Sequence, residues 1–232
     1  MIKKAHALIA VVMALALTVS FYATDHYMAA QLLHGKVFWM PSLGWDRAIP
    51  FQPSWVWVYL LYFPACFLPV TFIEVLKNGN IFRRVAAGFI LQFAFALAFF
   101  WLLPSQVHRP ELQHAGISSQ VLRWFYEIDP GYNVFPSLHV ANVAYVACVA
   151  ERLERRALSL GVWVLCLLIA ASTLFIKQHY FIDLPAGILV GVLSHHAAFS
   201  KRMDFLDSRK TRAPAFIEAS ARKPLPAQAP AQ

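Results

Sequence analysis

The chain has 232 residues, 59% of them hydrophobic and 14% charged, with a formal net charge of +8. Its mean hydropathy is positive, which excludes an ordinary soluble domain and fits a polytopic membrane protein whose main solvent is lipid. The basic residues flank apolar stretches and are not interleaved with aromatics in a soluble segment, so no nucleic-acid partner is expected.

The first predicted span covers 5–22. Lys3 and Lys4 precede it, as in a secretory leader, but no small-residue cleavage site follows Tyr22, and a retained helix is expected. An outward loop, 23–54, follows. It carries Phe38, Trp39, Trp45 and Phe51 and runs into Trp55 and Trp57, a composition suited to the headgroup level of a bilayer.

Further spans are predicted over 55–73, 85–103, 135–150, 157–176 and 180–199, each near the length of about 20 residues that crosses a bilayer. The fourth is short, and Pro136, Ser137 and His139 crowd its start, as for a helix opening into a polar cavity. With a cytoplasmic N-terminus and six alternating helices, only Lys36, Arg47, Arg109, Arg123 and Lys177 of the 20 Lys and Arg fall outside. The positive-inside rule therefore predicts an all-α bundle of six transmembrane helices with both termini cytoplasmic. Residues 1–200 form that membrane domain, and 201–232 form a basic, Pro- and Ala-rich tail expected to be disordered. There is no internal repeat. Cys66, Cys148 and Cys166 are dispersed in apolar segments, which predicts neither a disulfide framework nor a zinc site.

Two histidines stand at the outer ends of spans: His139 in Phe135-Pro136-Ser137-Leu138-His139, and His179 in Lys177-Gln178-His179-Tyr180-Phe181-Ile182-Asp183. Asp183 follows His179 by four residues, which on a helix puts carboxylate and imidazole on one face. It is the only acidic residue within a predicted span, and an acid in that position is a functional candidate by default. Arg109, just after the third span, belongs to the same side of the membrane. His195 and His196 lie at the opposite end and are read as helix–helix contacts. His108 and His114 are read as solvated, and Asp129 and Asn133 as caps of the fourth helix.

Two His and an Asp are acceptable metal ligands, but neighbouring Arg109 and Lys177 oppose a cation, so no metal and no cofactor are expected. Cations beside imidazoles suit a phosphate ester. Pro136 reads as a first-turn proline, leaving the amides of Ser137, Leu138 and His139 free to bind an anion, with the Ser137 hydroxyl adding to them. Arg109 offers a bidentate fork and Lys177 a point charge. His179 would attack phosphorus to give a phosphohistidine, Asp183 would hold its other nitrogen, and His139 would serve as acid and then base.

Arg109-Pro110, then Pro136-Ser137-Leu138-His139, then Ser172 with His179 and Asp183 seven and eleven positions on, resemble the three signatures of the phosphatidic acid phosphatase type 2 superfamily. The resemblance covers 104–191 and implies an all-α membrane bundle that uses no metal and a phosphohistidine intermediate, acting on a phosphorylated lipid. Three positions depart from the pattern. Leu102 stands for the Lys seven residues before the Arg, Leu138 for the Gly of Pro-Ser-Gly-His, and Thr173 for the Arg after the Ser. Lys177, one turn beyond Thr173 on a continued helix, is expected to compensate in part.

Phe-Pro-Ser-Leu-His with His-Tyr-Phe-Ile-Asp-Leu is more similar to the branch containing inositol phosphorylceramide synthases, which move a lipid headgroup to another alcohol. The resemblance leaves the acceptor open between water and an alcohol. It implies a lipid phosphate phosphatase or headgroup phosphotransferase in the cell (inner or plasma) membrane, with its site on the periplasmic or extracytoplasmic side. A transporter or scaffold that binds phospholipid without turnover is the alternative of a different class. The complete His, His, Asp and Arg set speaks against it.

Overall fold

The computed structural model describes residues 4–112 and 116–200; the expectations for His114 and for the 201–232 tail lie outside them. The described chain is all-α. Helix α1 (Lys4–Leu33) is followed by two 3-10 turns, Gly44–Arg47 and Pro53–Trp55, and by the short helix α2 (Val56–Tyr59). Then come α3 (Tyr62–Thr71), α4 (Ile73–Lys77), α5 (Gly79–Leu102), α6 (Ile117–Ile128), α7 (Leu138–Arg152), α8 (Arg156–Phe175) and α9 (Asp183–Ala198). Isolated bridges join Trp39 to Ser105 and Gln106 to Tyr132, and no strand forms among the described residues.

Among the described residues, four segments are long and apolar enough to cross a membrane: Ala5–Leu33, Pro53–Lys77, Gly79–Leu102 and Arg156–Phe175. Helices α7 and α9, at 15 and 16 residues, fall short of the ~20 needed for a perpendicular crossing. Helix α7 does not face lipid. Every residue from Val140 to Ala150 is buried, and the helix packs on α3, α5, α8 and α9.

Two glycines let α9 press against α7. A Cβ on Gly187 would lie 2.5 Å from the Ser137 carbonyl, and one on Gly191 would lie 2.4 Å from that of Ala141. Their four-residue spacing puts both on one face, as in helix pairs that associate through small residues. A polar ladder also crosses the bundle. Gln92 Nε2 donates to Asn142 Oδ1 at 2.8 Å, and Asn142 Nδ2 donates to the Tyr62 hydroxyl at 2.7 Å, tying α5, α7 and α3 beneath the site.

The structure differs from the sequence reading in three elements. Helix α1 runs eleven residues past Tyr22 and takes Asp25 with it, fully buried and accepting from Asn133 Nδ2 at 3.0 Å. Asp183 is therefore not the only acid within an apolar span. The segment between the third and fourth predicted spans holds a helix, α6, whose Ser119, Leu122 and Phe125 face inward, a period easily missed between polar neighbours. Its exposed Trp124 and Ile117 lie on the other side. Finally, Asp129 and Asn133 do not cap α7. Ser137 is the N-cap, with its hydroxyl facing the Val140 amide at 3.4 Å.

Candidate active site

The turn between α8 and α9 positions His179. Lys177, at φ 50°, ends α8 in the left-handed conformation, so that its own amide donates to Leu174 O at 3.2 Å and that of Gln178 to Thr173 O at 2.8 Å. That pairing is the Schellman arrangement. His179 thus lies in a turn before α9, not on a helix with Asp183. Their contact survives because the turn folds back: Asp183 Oδ2 accepts from the Tyr180 amide at 2.9 Å and faces His179 Nδ1 at 3.2 Å.

His139, in the first turn of α7, completes a chain of contacts. Its Nδ1 lies 3.1 Å from His179 Nε2, and its Nε2 lies 2.8 Å from the Tyr59 hydroxyl. With Asp183 ionised and both rings neutral, one direction satisfies every contact. His179 Nδ1–H donates to Asp183, which leaves Nε2 to accept from His139 Nδ1–H, and His139 Nε2 then accepts from Tyr59. Asp183 is fully buried and His179 nearly so, and exclusion of water strengthens such polar contacts.

The two rings line a cavity of about 120 Å³, together with Tyr59, Tyr62, Asp129, Asn133 and Gln178. Arg109 stands one layer behind that wall. Its guanidinium donates to the Asp129 carbonyl, to Asp129 Oδ1 at 3.2 Å and to Gln178 Oε1, and it covers the Tyr126 ring at 4.3 Å. Gly131 makes room for it: at φ 84°, a Cβ there would come within 2.9 Å of Arg109 Cζ.

The expected phosphate ligands divide. Ser137 is buried, its amide donating to Asp183 O at 3.2 Å, so neither its N–H nor its hydroxyl is free as expected for a first-turn Pro136. The amides of Leu138 and His139 occupy the first two helical positions, where no backbone acceptor is within the helix's reach, and both residues line the cavity. Lys177 turns away: its Nζ donates to Ile49 O at 2.6 Å and Asp46 O at 3.3 Å. Leaving the helix at its left-handed residue takes it off the face of Thr173, and burial holds its ammonium below the usual lysine range. Ser172 and Thr173 spend their hydroxyls on Ile169 O and Ala170 O within α8.

Residues that sequence reading passed over hold this arrangement. Asp46 accepts from the Phe181 amide at 2.8 Å and the Leu43 amide at 2.6 Å, anchoring the His179 turn to the first loop. Tyr59 and Tyr62 pack on the His139 ring at centroid distances of 5.1 and 4.5 Å. No periodicity or motif marks a tyrosine inside an apolar span. Asp46, acidic in an aromatic loop, carried the one readable signal. Among the described residues, no three His, Cys, Asp or Glu side chains gather as a metal-ligand set. At the far end of the bundle, the His195 ring faces Tyr145 at 6.2 Å.

Apolar helices fit for membrane insertion enclose an Asp–His–His chain beside a small cavity, which makes this a helical membrane protein with a buried polar site. The chain belongs to the PAP2 superfamily, whose family model matches residues 37–197, more than half of its length. Membership points to a lipid phosphatase-type function on a lipid phosphate in a membrane. No curated protein and no solved structure matched the chain.

Proposed function

We propose that this protein is a metal-independent lipid phosphate phosphatase or lipid headgroup phosphotransferase that works through a phosphohistidine. The observation that carries the reading is the nitrogen-to-nitrogen contact of His139 and His179, with Asp183 behind His179, at the cavity wall. The phosphoryl group enters where the two rings meet. His179 Nε2 attacks phosphorus, the P–O bond to the lipid breaks, and the departing oxygen takes a proton from the His139 imidazolium. Asp183 stabilises the charge left on His179. In the second half, His139 removes a proton from water or an alcohol, whose oxygen attacks phosphorus. The P–N bond breaks, His179 is regenerated, and phosphate leaves if the acceptor is water, or a new phosphodiester if the phosphorus carries a headgroup and the acceptor is an alcohol.

The amides of Leu138 and His139 are the best-placed backbone donors for the phosphoryl oxygens. Arg109 contributes by exchanging Asp129 or Gln178 for a phosphoryl oxygen, or by fixing both in the wall. Ser137 supports the site as the cap of α7, and Lys177 supports it by binding the first loop to the His179 turn. The membrane reading retains six crossings, with α7 and α9 sheathed by their neighbours, and both termini cytoplasmic. The positive-inside distribution then puts His139, His179 and Arg109 at the outer face of the cell membrane.

Mass spectrometry of products from the purified protein, a lipid phosphate panel and added alcohols tests the reading. Release of phosphate identifies a hydrolase, and a new phospholipid identifies a transferase, with turnover persisting in chelator. Binding of these lipids with no product from any of them overturns the reading in favour of a transporter or scaffold.

A further inference from the structure

A second cavity, of about 420 Å³, lies between α1, α3 and α5. Thr18, Tyr62, Phe63 and Phe93 line both it and the cavity of the two histidines, so the two spaces share a wall. Among the described residues, no charged side chain lines the larger one. It follows α1 from Thr18 back to Ala7, eleven residues, or about 16 Å along the helix axis.

On α1, Ala10, Ala14 and Thr18 recur every four residues along the cavity wall, beside Val11, Met13 and Leu17, and Cys66 lies on the opposing wall. The outer face of the same helix carries large side chains, Leu8, Val12, Leu15 and Val19, each more than half exposed. Such residues suit lipid, and the inner groove is where the helix stands away from its neighbours. This groove wall precedes residue 37, outside the stretch matched by the family model.

Resting on the reading of the histidine site as a lipid phosphate site, we infer that this cleft takes one hydrocarbon chain of the substrate whose phosphate occupies the smaller cavity. The shared wall is the argument for the occupant, because a chain running along α1 would end at Thr18, beside the polar cavity. An apolar cleft offers a tail little that the bilayer does not already provide. Its effect is positional: a chain held in the cleft keeps the phosphorus at the two rings. Selectivity for chain length should follow, with the inner face of α1 as the ruler.

Photo-crosslinking tests this independently of turnover. The full chain in phosphatidylcholine vesicles receives phosphatidic acid with a diazirine in mid-chain, and adducts are mapped by mass spectrometry. Adducts are expected on Ala10, Ala14 and Cys66. They should be competed by unlabelled phosphatidic acid but not by diacylglycerol, and should fall about tenfold in Ala14→Phe, whose ring overfills the groove. Adducts confined to Leu8, Val12 and Leu15, or competed equally by diacylglycerol, overturn the assignment. Parallel product analysis separates the two claims, since cleft adducts without turnover would sink the catalytic reading and leave the cleft standing. In the active protein, Ala14→Phe should impair dioleoyl phosphatidic acid more than dihexanoyl phosphatidic acid. Equal impairment would contradict a chain ruler.

Discussion

His139 and His179 meet nitrogen to nitrogen, Nδ1 to Nε2 at 3.1 Å, although forty residues and two helices separate them in the chain. This contact leaves each ring one further nitrogen, and each has its own partner: Tyr59 for His139, Asp183 for His179. The sites for attack and for proton transfer therefore point at the same small volume.

Tyr59 should act by positioning. Its hydroxyl donates to neutral His139 and accepts from the imidazolium, so it keeps Nδ1 aimed at the cavity in both states. Tyr59→Phe is expected to lower kcat by about tenfold to a hundredfold through misorientation, with little change in KM. A rise in KM alone, with kcat intact, would place Tyr59 in binding instead.

Asp46 should hold the His179 turn. Asp46→Ala leaves the amides of Leu43 and Phe181 without their acceptor, at a cost of about 1–3 kcal/mol. The expected outcome is faster hydrogen exchange around Phe181 together with reduced activity, and Asp46→Asn should restore part of both. Unchanged exchange at Phe181 would show that the turn holds itself.

Much of this site was legible in the sequence, and the limits are instructive. His139, His179 and Asp183 could be read because a polar group in an apolar span needs a reason to be there. The chain does not announce that Lys177 would leave its helix, since a lysine in the left-handed conformation carries no glycine signal. Ser137 reads as a phosphate ligand because capping and anion binding use the same residue type at the same place. Tyr59 could be found only by folding, because its role depends on α2 meeting α7. The apolar run ends near Tyr22, but helix α1 carries on and buries Asp25, one of whose oxygens accepts from Asn133, more than a hundred residues on.

The α7–α9 contact should tolerate no added atom. A Cβ on Gly187 would lie 2.5 Å from the Ser137 carbonyl, next to the amide that donates to Asp183 O. Gly187→Ala is expected to push α9 outward and lower thermal stability by about 1–3 kcal/mol, with loss of activity even in the folded fraction. A fully active, fully stable variant would show that the helices can part without disturbing the site.

Topology can be read by labelling. Val37 is 92% exposed in the loop after α1, and the native cysteines are buried or half-buried. Val37→Cys should react with an impermeant thiol reagent added to intact cells. Reaction only after lysis would invert the membrane orientation.

The central claim is the covalent one: His179 carries the phosphoryl group. Purified protein quenched during turnover of a lipid bearing radiolabelled phosphate should retain label that is acid-labile and base-stable, and peptide mapping should assign it to His179. His179→Ala should lose both the label and about 10⁴-fold of the activity, while still accumulating in the membrane. Full activity of His179→Ala, or label on another side chain, would contradict the account.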